Sequence, residues 1–124
     1  MKNDEVFICS ERSAQNMAYQ SLTKTEKVVE KICDIEGDDL IGLPLQAPLC
    51  QFPCVYSLPM FGILMNKGTV VVTSVPSDSP DDYATLRDLQ QKKELRDKYK
   101  VTEDMVAFQP VPIIDIEGFG MLAA

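Results

Sequence analysis

Residues 68–89, GTVVVTSVPSDSPDDYATLRDL, restrict the backbone more tightly than any other stretch of the chain. The first part, residues 69–75, is a run of β-branched residues apolar enough to lie centrally in a sheet. Pro76 and Pro80 stop that run, because proline lacks an amide and drives the residue before it toward extended geometry. Beyond them the pattern turns helical. Ser79 can cap a helix, Pro80 suits its first position, and Asp82 follows the cap by three residues. Tyr83, Leu86, Leu89 and Leu95 make an apolar stripe, with Arg87, Asp88, Lys92, Lys93 and Glu94 toward water. Lys98 and Lys100 fall in or just past the last turn, where positive charge suits the helix dipole. The charge run on this helix reads most simply as a solvated face.

The rest of the chain predicts further short elements. Residues 5–9 (EVFIC) read as a buried strand, and Ser10 as the cap of a helix running past Met17 and Ala18. Residues 28–35 (VVEKICDI) read as a second strand, ended by Gly37 and the Asp38-Asp39 pair. Pro44 and Pro48 exclude helix from the next region. Residues 54–58 and 61–65 are candidate strands split by Pro59, with a turn signal at Asn66-Lys67-Gly68. Residues 111–116 (VPIIDI) read as a last strand, which Pro112 confines to an edge or a strand start, before Gly118 and Gly120 loosen the tail. Strands and helices in this order predict an α+β chain, with residues 1–124 as one domain.

Composition narrows the chemistry. The chain is 45% hydrophobic and lacks tryptophan, so its core should be aliphatic, built from Val, Ile, Leu and Met. A net charge of −7, from 19 acidic and 12 basic residues, repels phosphate backbones, so any nucleic acid must be gripped by another part of a larger protein. The complete lack of histidine excludes Ser-His-Asp triads, His-paired cysteine nucleophiles and His-containing zinc sites. The spacings of Cys9, Cys33, Cys50 and Cys54 match neither a redox CxxC nor a paired zinc knuckle, so we expect no metal and reduced, mostly buried thiols. No apolar run approaches the roughly 20 residues of a membrane span, and no signal segment opens the chain, so a cytoplasmic location without membrane contact is expected.

The turn before the second helix gathers Asp78, Asp81 and Asp82 at the positive end of that helix. Two readings follow. The carboxylates can simply complement the dipole, each contributing about 0.3–1 kcal/mol. Alternatively, one of them binds a cation or an ammonium group, where a charge-assisted hydrogen bond contributes about 1.5–3 kcal/mol. Different aspartates can take the two tasks.

The motif VVTSVPSDSPDD at residues 71–82, followed by RDL at 87–89, resembles the editing insertion of eukaryotic and archaeal-type leucyl-tRNA synthetases. FIC at 7–9, NMAYQ at 16–20, LIGLPL with APL across 40–49, and PVPIIDIEGFG at 110–120 extend the resemblance over nearly the whole chain. It implies part of a twisted β-barrel with flanking helices, of the kind shared by leucyl, isoleucyl and valyl enzymes. It also implies proofreading: the acceptor end of tRNA(Leu) carrying a wrong amino acid enters a pocket, and water hydrolyses the ester. A single methyl or methylene gives only about 1–3 kcal/mol of discrimination at the synthetic site, hence a second sieve. By position in the motif, Asp82 would hold the α-ammonium group, Thr73 and Val75 would line the pocket that keeps leucine out, and Gly68 and Thr69 would form the strand entry. No cofactor is implied for this segment; ATP and magnesium belong to the synthetic core of a parent ligase, which would also supply most of the tRNA grip and contacts in a multisynthetase assembly.

Two departures stand out. The family's Gly-Thr-Gly is Gly68-Thr69-Val70 here, placing a side chain where the backbone needs freedom. Nothing matches the threonine-rich peptide that forms the opposite wall of the family's pocket, so half an editing site and poor hydrolysis by the isolated chain are expected. A non-catalytic remnant that binds a protein partner, and an isoleucyl or valyl editing domain, are the alternatives.

Overall fold

The computed structural model describes residues 1, 3–66 and 68–121, so Lys67 of the expected Asn66–Gly68 turn lies outside the described residues. The chain divides into two compact units: Met1–Asp34 with Gly62–Thr73, and Ile35–Phe61 with the stretch from Ser74 on.

The first unit is built around α1 (Glu11–Tyr19), which begins where Ser10 was expected to cap it. The Ser10 side chain accepts from the Ser13 amide at 3.4 Å, taking up one of the amides that a helix start leaves without a partner. Ala18 is fully buried, and its carbonyl accepts from the Ser21 and Lys27 amides at 3.1 and 3.2 Å as the chain folds back. The strands expected at 5–9 and 69–75 do not form, and neither does one at 28–35. Val6, Phe7 and Ile8 are exposed rather than buried, and Val71 and Val72 stand 52% and 53% exposed rather than central in a sheet. β-Branched sequence favours extended backbone, but a ladder needs a second strand to take its amides and carbonyls.

The second unit holds the sheet and the core. β1 (Pro44–Leu45) pairs antiparallel with β2 (Val55–Tyr56), Pro44 opposite Tyr56 and Leu45 opposite Val55. Backbone bonds from Gly42 to Ser57 and from Ser57 to Leu43, at 2.8 and 3.1 Å, prolong the pairing. The strand expected over 54–58 therefore shortens to two residues, and none forms over 61–65. Residues 111–116 are exposed and contribute only a bridge from Ile116 to Gly120, across a turn where Gly118 and Gly120 take φ of 84° and 85°. Among the described residues the sheet has two strands, and the architecture is α+β.

The expected long helix is two helices, α2 (Pro80–Gln91) and α3 (Lys93–Tyr99), separated at Lys92, which takes φ −100° and ψ 93°. The break is bridged by Arg96, whose guanidinium donates to the Leu89 and Gln90 carbonyls at 2.8 Å each. Lys100 closes α3 in the left-handed region. Leu86 and Leu89 of the predicted stripe are buried with Val101 and Val106, and Ile41, Leu58, Leu95, Tyr99, Met105 and Phe108 pack around them. Gln90 ties α2 to the following segment by donating to the Val106 and Phe108 carbonyls, both at 2.9 Å. The core is aliphatic, as composition required. The cysteines depart from expectation: Cys33, Cys50 and Cys54 are exposed and Cys9 is half-buried, because all four lie on irregular segments outside this core.

Candidate functional site

The turn from Val75 to Asp82 folds as the sequence required at its helical end. Ser79 is the cap of α2, its side chain accepts from the Asp82 amide at 3.4 Å, and Pro80 occupies the first helical position. An acidic residue three positions after such a cap commonly reaches back to the cap's own amide. Here the Ser79 amide is already taken by the Val75 carbonyl, at 2.9 Å, and the Asp78 amide donates to the same carbonyl at 3.1 Å. The Asp82 carboxylate instead reaches past Ser79 and accepts from the Val75 amide through Oδ2 at 2.8 Å. Both backbone polar groups of Val75 are thus fixed by the turn that follows it.

The three carboxylates have separate surroundings. The buried Ser77 hydroxyl donates to Asp78. Asp81 points to solvent in the first turn of α2. Asp82 is half-buried, and its Oδ1 has no hydrogen bond among the described residues. Asp82 thus has one oxygen committed locally and the other unengaged among the described residues.

Of the expected site residues, Val75 and Asp82 are brought together in the second unit, both half-buried. Gly68, Thr69 and Thr73 belong to the first unit. There the Ser13 hydroxyl donates to the Gly68 carbonyl, and the Thr69 hydroxyl donates to the Val71 carbonyl at 2.8 Å. Thr73 is exposed. Val70 takes φ 75°. A β-branched residue in the left-handed region is a real steric outlier, whereas glycine adopts it freely.

Two clefts in the second unit escaped sequence reasoning. One, of about 110 Å³, is walled by the tilted Phe52–Phe108 ring pair (centroids 5.8 Å apart) and edged by Cys54, Tyr56 and Asp104. Charge on the neighbouring Cys54, then burial, then the Asp104 carboxylate push the Tyr56 phenol above its ordinary value. The other, of about 220 Å³, lies between Pro59 and Phe61 and the α2–α3 residues Leu89 and Leu95, with the Asp88–Lys92 ion pair (2.8 Å) on its rim. Neither is lined by Asp82 or Val75. The signal for both was scattered single residues, not a motif. Among the described residues no group of three or more Cys, Asp or Glu side chains could hold a metal ion, and no helix is long and apolar enough to cross a membrane.

No protein-family model matches the chain, but individual proteins do. The chain is 51% identical over 123 residues to the cytoplasmic leucine–tRNA ligase of Pongo abelii, covering 98% of this chain and 10% of that protein. Against the cytoplasmic leucine–tRNA ligase of Dictyostelium discoideum it is 52% identical over 120 residues, covering 96% and 11%. The chain thus spans about a tenth of the length of these relatives. Its fold matches the crystal structure of GlLeuRS-CP1 with a TM-score of 0.83 at 39% identity, covering 93% of this chain and 44% of the other. The editing domain of the P. falciparum cytosolic leucyl-tRNA synthetase matches with a TM-score of 0.78 at 34% identity, covering 90% and 38%. An α+β chain that aligns with such structures over nine-tenths of its length, and carries an aspartate turn at a helix start, is of the aminoacyl-tRNA synthetase editing-domain class. Within that class its sequence relatives are cytosolic leucyl-tRNA synthetases, that is leucine–tRNA ligases, an enzyme class, matched over nearly the whole of this chain.

Proposed function

We propose that this chain serves the hydrolytic editing of mischarged tRNA(Leu) as part of a cytoplasmic leucine–tRNA ligase, whose remaining segments complete the editing barrel and attach leucine to tRNA. The observation that carries this reading is the Asp82 carboxylate, held by the Val75 amide at 2.8 Å with Oδ1 unengaged among the described residues. A carboxylate in that state can take the α-ammonium of an aminoacyl ester through Oδ1 without surrendering its local bond. Val75 would meet the amino-acid side chain, while the roles that the resemblance implies for Thr73, Gly68 and Thr69 rest on the sequence motif alone.

The reaction asks little of the protein's own acids and bases. Water adds to the ester carbonyl, the ester C–O bond breaks, and the electron pair leaves with the ribose oxygen, which takes a proton; free amino acid and tRNA result. An aminoacyl ester is activated, so holding the carbonyl carbon and the water in line supplies most of the needed acceleration. Asp82 would orient the substrate rather than remove a proton, consistent with a chain that has no histidine. Hydrolysis balances without a cofactor, and ATP and magnesium would serve the ligase's synthetic core. With a net charge of −7, this segment leaves the tRNA body to the rest of the ligase.

The test is deacylation by a full-length cytoplasmic leucine–tRNA ligase carrying these 124 residues in place of its own. D82A should abolish hydrolysis of mischarged tRNA(Leu) and leave leucylation intact. Unchanged editing in D82A would remove the assignment. A second reading, docking of a protein partner, draws on the exposed apolar residues Val6, Phe7, Ile8, Ile113 and Ile114. Capture of other subunits of a multisynthetase assembly by an editing-dead D82A ligase, lost when these residues are made polar, would support it.

A further inference from the structure

We propose that Asp82 is also the positioning residue of the side-chain sieve: through Oδ2 it fixes the Val75 backbone, so that one carboxylate sets the distance between the site that reads the amine and the residue that reads the side chain. This rests on the editing reading above and adds to it a cause of specificity.

The geometry carries the link. Val75 directly precedes Pro76, which offers no amide, so the last donor before the turn is the Val75 N–H itself. That donor has one partner, the Asp82 Oδ2 at 2.8 Å. On its other side the Val75 carbonyl is held by the Asp78 and Ser79 amides. These three bonds close the turn around Val75 and tie it to the first turn of α2, an element anchored in the core by Leu86 and Leu89. Residues 71–74 just before it have no ladder to hold them. Of the three bonds that hold the Val75 backbone, the one on its N-terminal side is therefore made by the carboxylate. A hydrogen bond to a charged acceptor is among the stronger single bonds a protein makes, and it is directional.

An ammonium bound at Oδ1 and a side chain sieved at Val75 would then share one rigid reference. Discrimination against leucine turns on a methyl or methylene, so a wall that drifts by a fraction of an ångström admits the correct product.

The two functions of Asp82 separate by substitution. In D82N the amide oxygen can still accept from Val75, but the charge that draws the ammonium is gone. In D82A both are lost. Replacing the Val75 amide by an ester, with the corresponding α-hydroxy acid in place of valine, removes the donor while keeping the isopropyl group and the carboxylate.

The experiment measures kcat and KM for mischarged tRNA(Leu) and for leucyl-tRNA(Leu) in the full-length ligase carrying this segment. The ester variant should lose about tenfold or more of its discrimination against leucyl-tRNA(Leu), the scale of one charge-assisted bond, with KM for the mischarged substrate within about twofold. D82N should raise that KM about tenfold and keep the discrimination. An ester variant that discriminates like the parent overturns the coupling while leaving the ammonium role intact. A D82N variant that edits normally overturns the ammonium role instead.

Amide exchange of Val75 in the 124-residue chain decides the matter should the ester variant fail to fold. D82A should exchange about tenfold faster than the parent and D82N within about threefold of it. Equal rates in all three chains would overturn the proposal.

Discussion

The two units of this chain use similar apolar content to opposite ends. In the second, Leu86, Leu89, Val101 and Val106 are withdrawn from water, and partly buried residues that include Leu58, Leu95 and Tyr99 of α3, and Met105 of the Asp104–Val106 3-10 turn pack around them. In the first, Ala18 is the one hydrophobic residue among the described residues to reach full burial, while Val6, Phe7, Ile8, Val71 and Val72 stay exposed. The difference lies in how each local structure meets its hydrogen-bonding needs. A helix satisfies its backbone within itself and needs only one face covered, so α2 and α3 can make a core with a few neighbours. An extended segment must borrow its partners, and the β-rich sequences of the first unit find none among the described residues.

The largest expected effect sets these two behaviours against each other. Leu89 is 1% exposed, so L89A should cost the second unit about 2–5 kcal/mol, read by urea denaturation with helical circular dichroism. V71T and V72T, at positions already 52% and 53% exposed, should each change stability by less than about 0.5 kcal/mol. Comparable losses at all three positions would mean that the exposed valines are packed in solution and that the contrast between the units is wrong.

This contrast also explains what was legible in the sequence. Ser10 and Ser79 each cap the helix expected of them, Pro80 and Asp82 sit at the positions their chemistry suits, and the Leu86–Leu89 stripe is the core. All of that is local, decided within a few residues along the chain. The strands expected at 5–9 and 69–75 do not form, because β-forming side chains favour extended backbone but do not supply the partner strand that a ladder needs. The break at Lys92 was also invisible, since it is stabilised by Arg96 folding back on the Leu89 and Gln90 carbonyls. At the candidate site, sequence identified Val75 and Asp82 separately. Their bond was hidden because a capping residue ordinarily reaches the cap's amide, and here that amide was already taken by the Val75 carbonyl.

A second substitution sharpens the comparison from within the first unit. Val70 takes φ 75°, a conformation costing a non-glycine residue about 1–3 kcal/mol. Glycine would relieve that strain but lose about 0.5–1 kcal/mol through the entropy of the unfolded chain. V70G should therefore stabilise the neighbourhood of residues 68–72 by about 1 kcal/mol, seen as roughly fivefold slower amide exchange there with α2 unaffected. Faster exchange in V70G would show that the valine side chain contributes packing that outweighs its strained backbone. That result would move the first unit toward the second in character.

The smallest effect probes the second unit's surroundings rather than its packing. The Tyr56 phenol lies above its ordinary value chiefly because of charge on the adjacent Cys54, with burial and the Asp104 carboxylate acting in the same direction. Ionising Tyr56 would add its negative charge to that of Cys54 in the same cleft. A raised folded-state value means that the neutral phenol is favoured by folding. Its contribution to stability is complete below the unfolded value and is lost as pH rises through the folded one. C54S removes the first of the three causes, so the Tyr56 midpoint should fall toward the ordinary value while burial and Asp104 keep it above. A pH series following the Tyr56 ring signals by NMR reads this directly, and the accompanying loss of stability, which begins at the same unfolded-state value in both proteins, should be smaller in C54S and complete at lower pH than in the parent. A midpoint that does not move would place the Cys54 thiolate too far from the phenol to act on it. The cleft between Phe52 and Phe108 would then be as open to water as the exposed segments of the first unit, which is the difference between the two regions that this titration is able to detect.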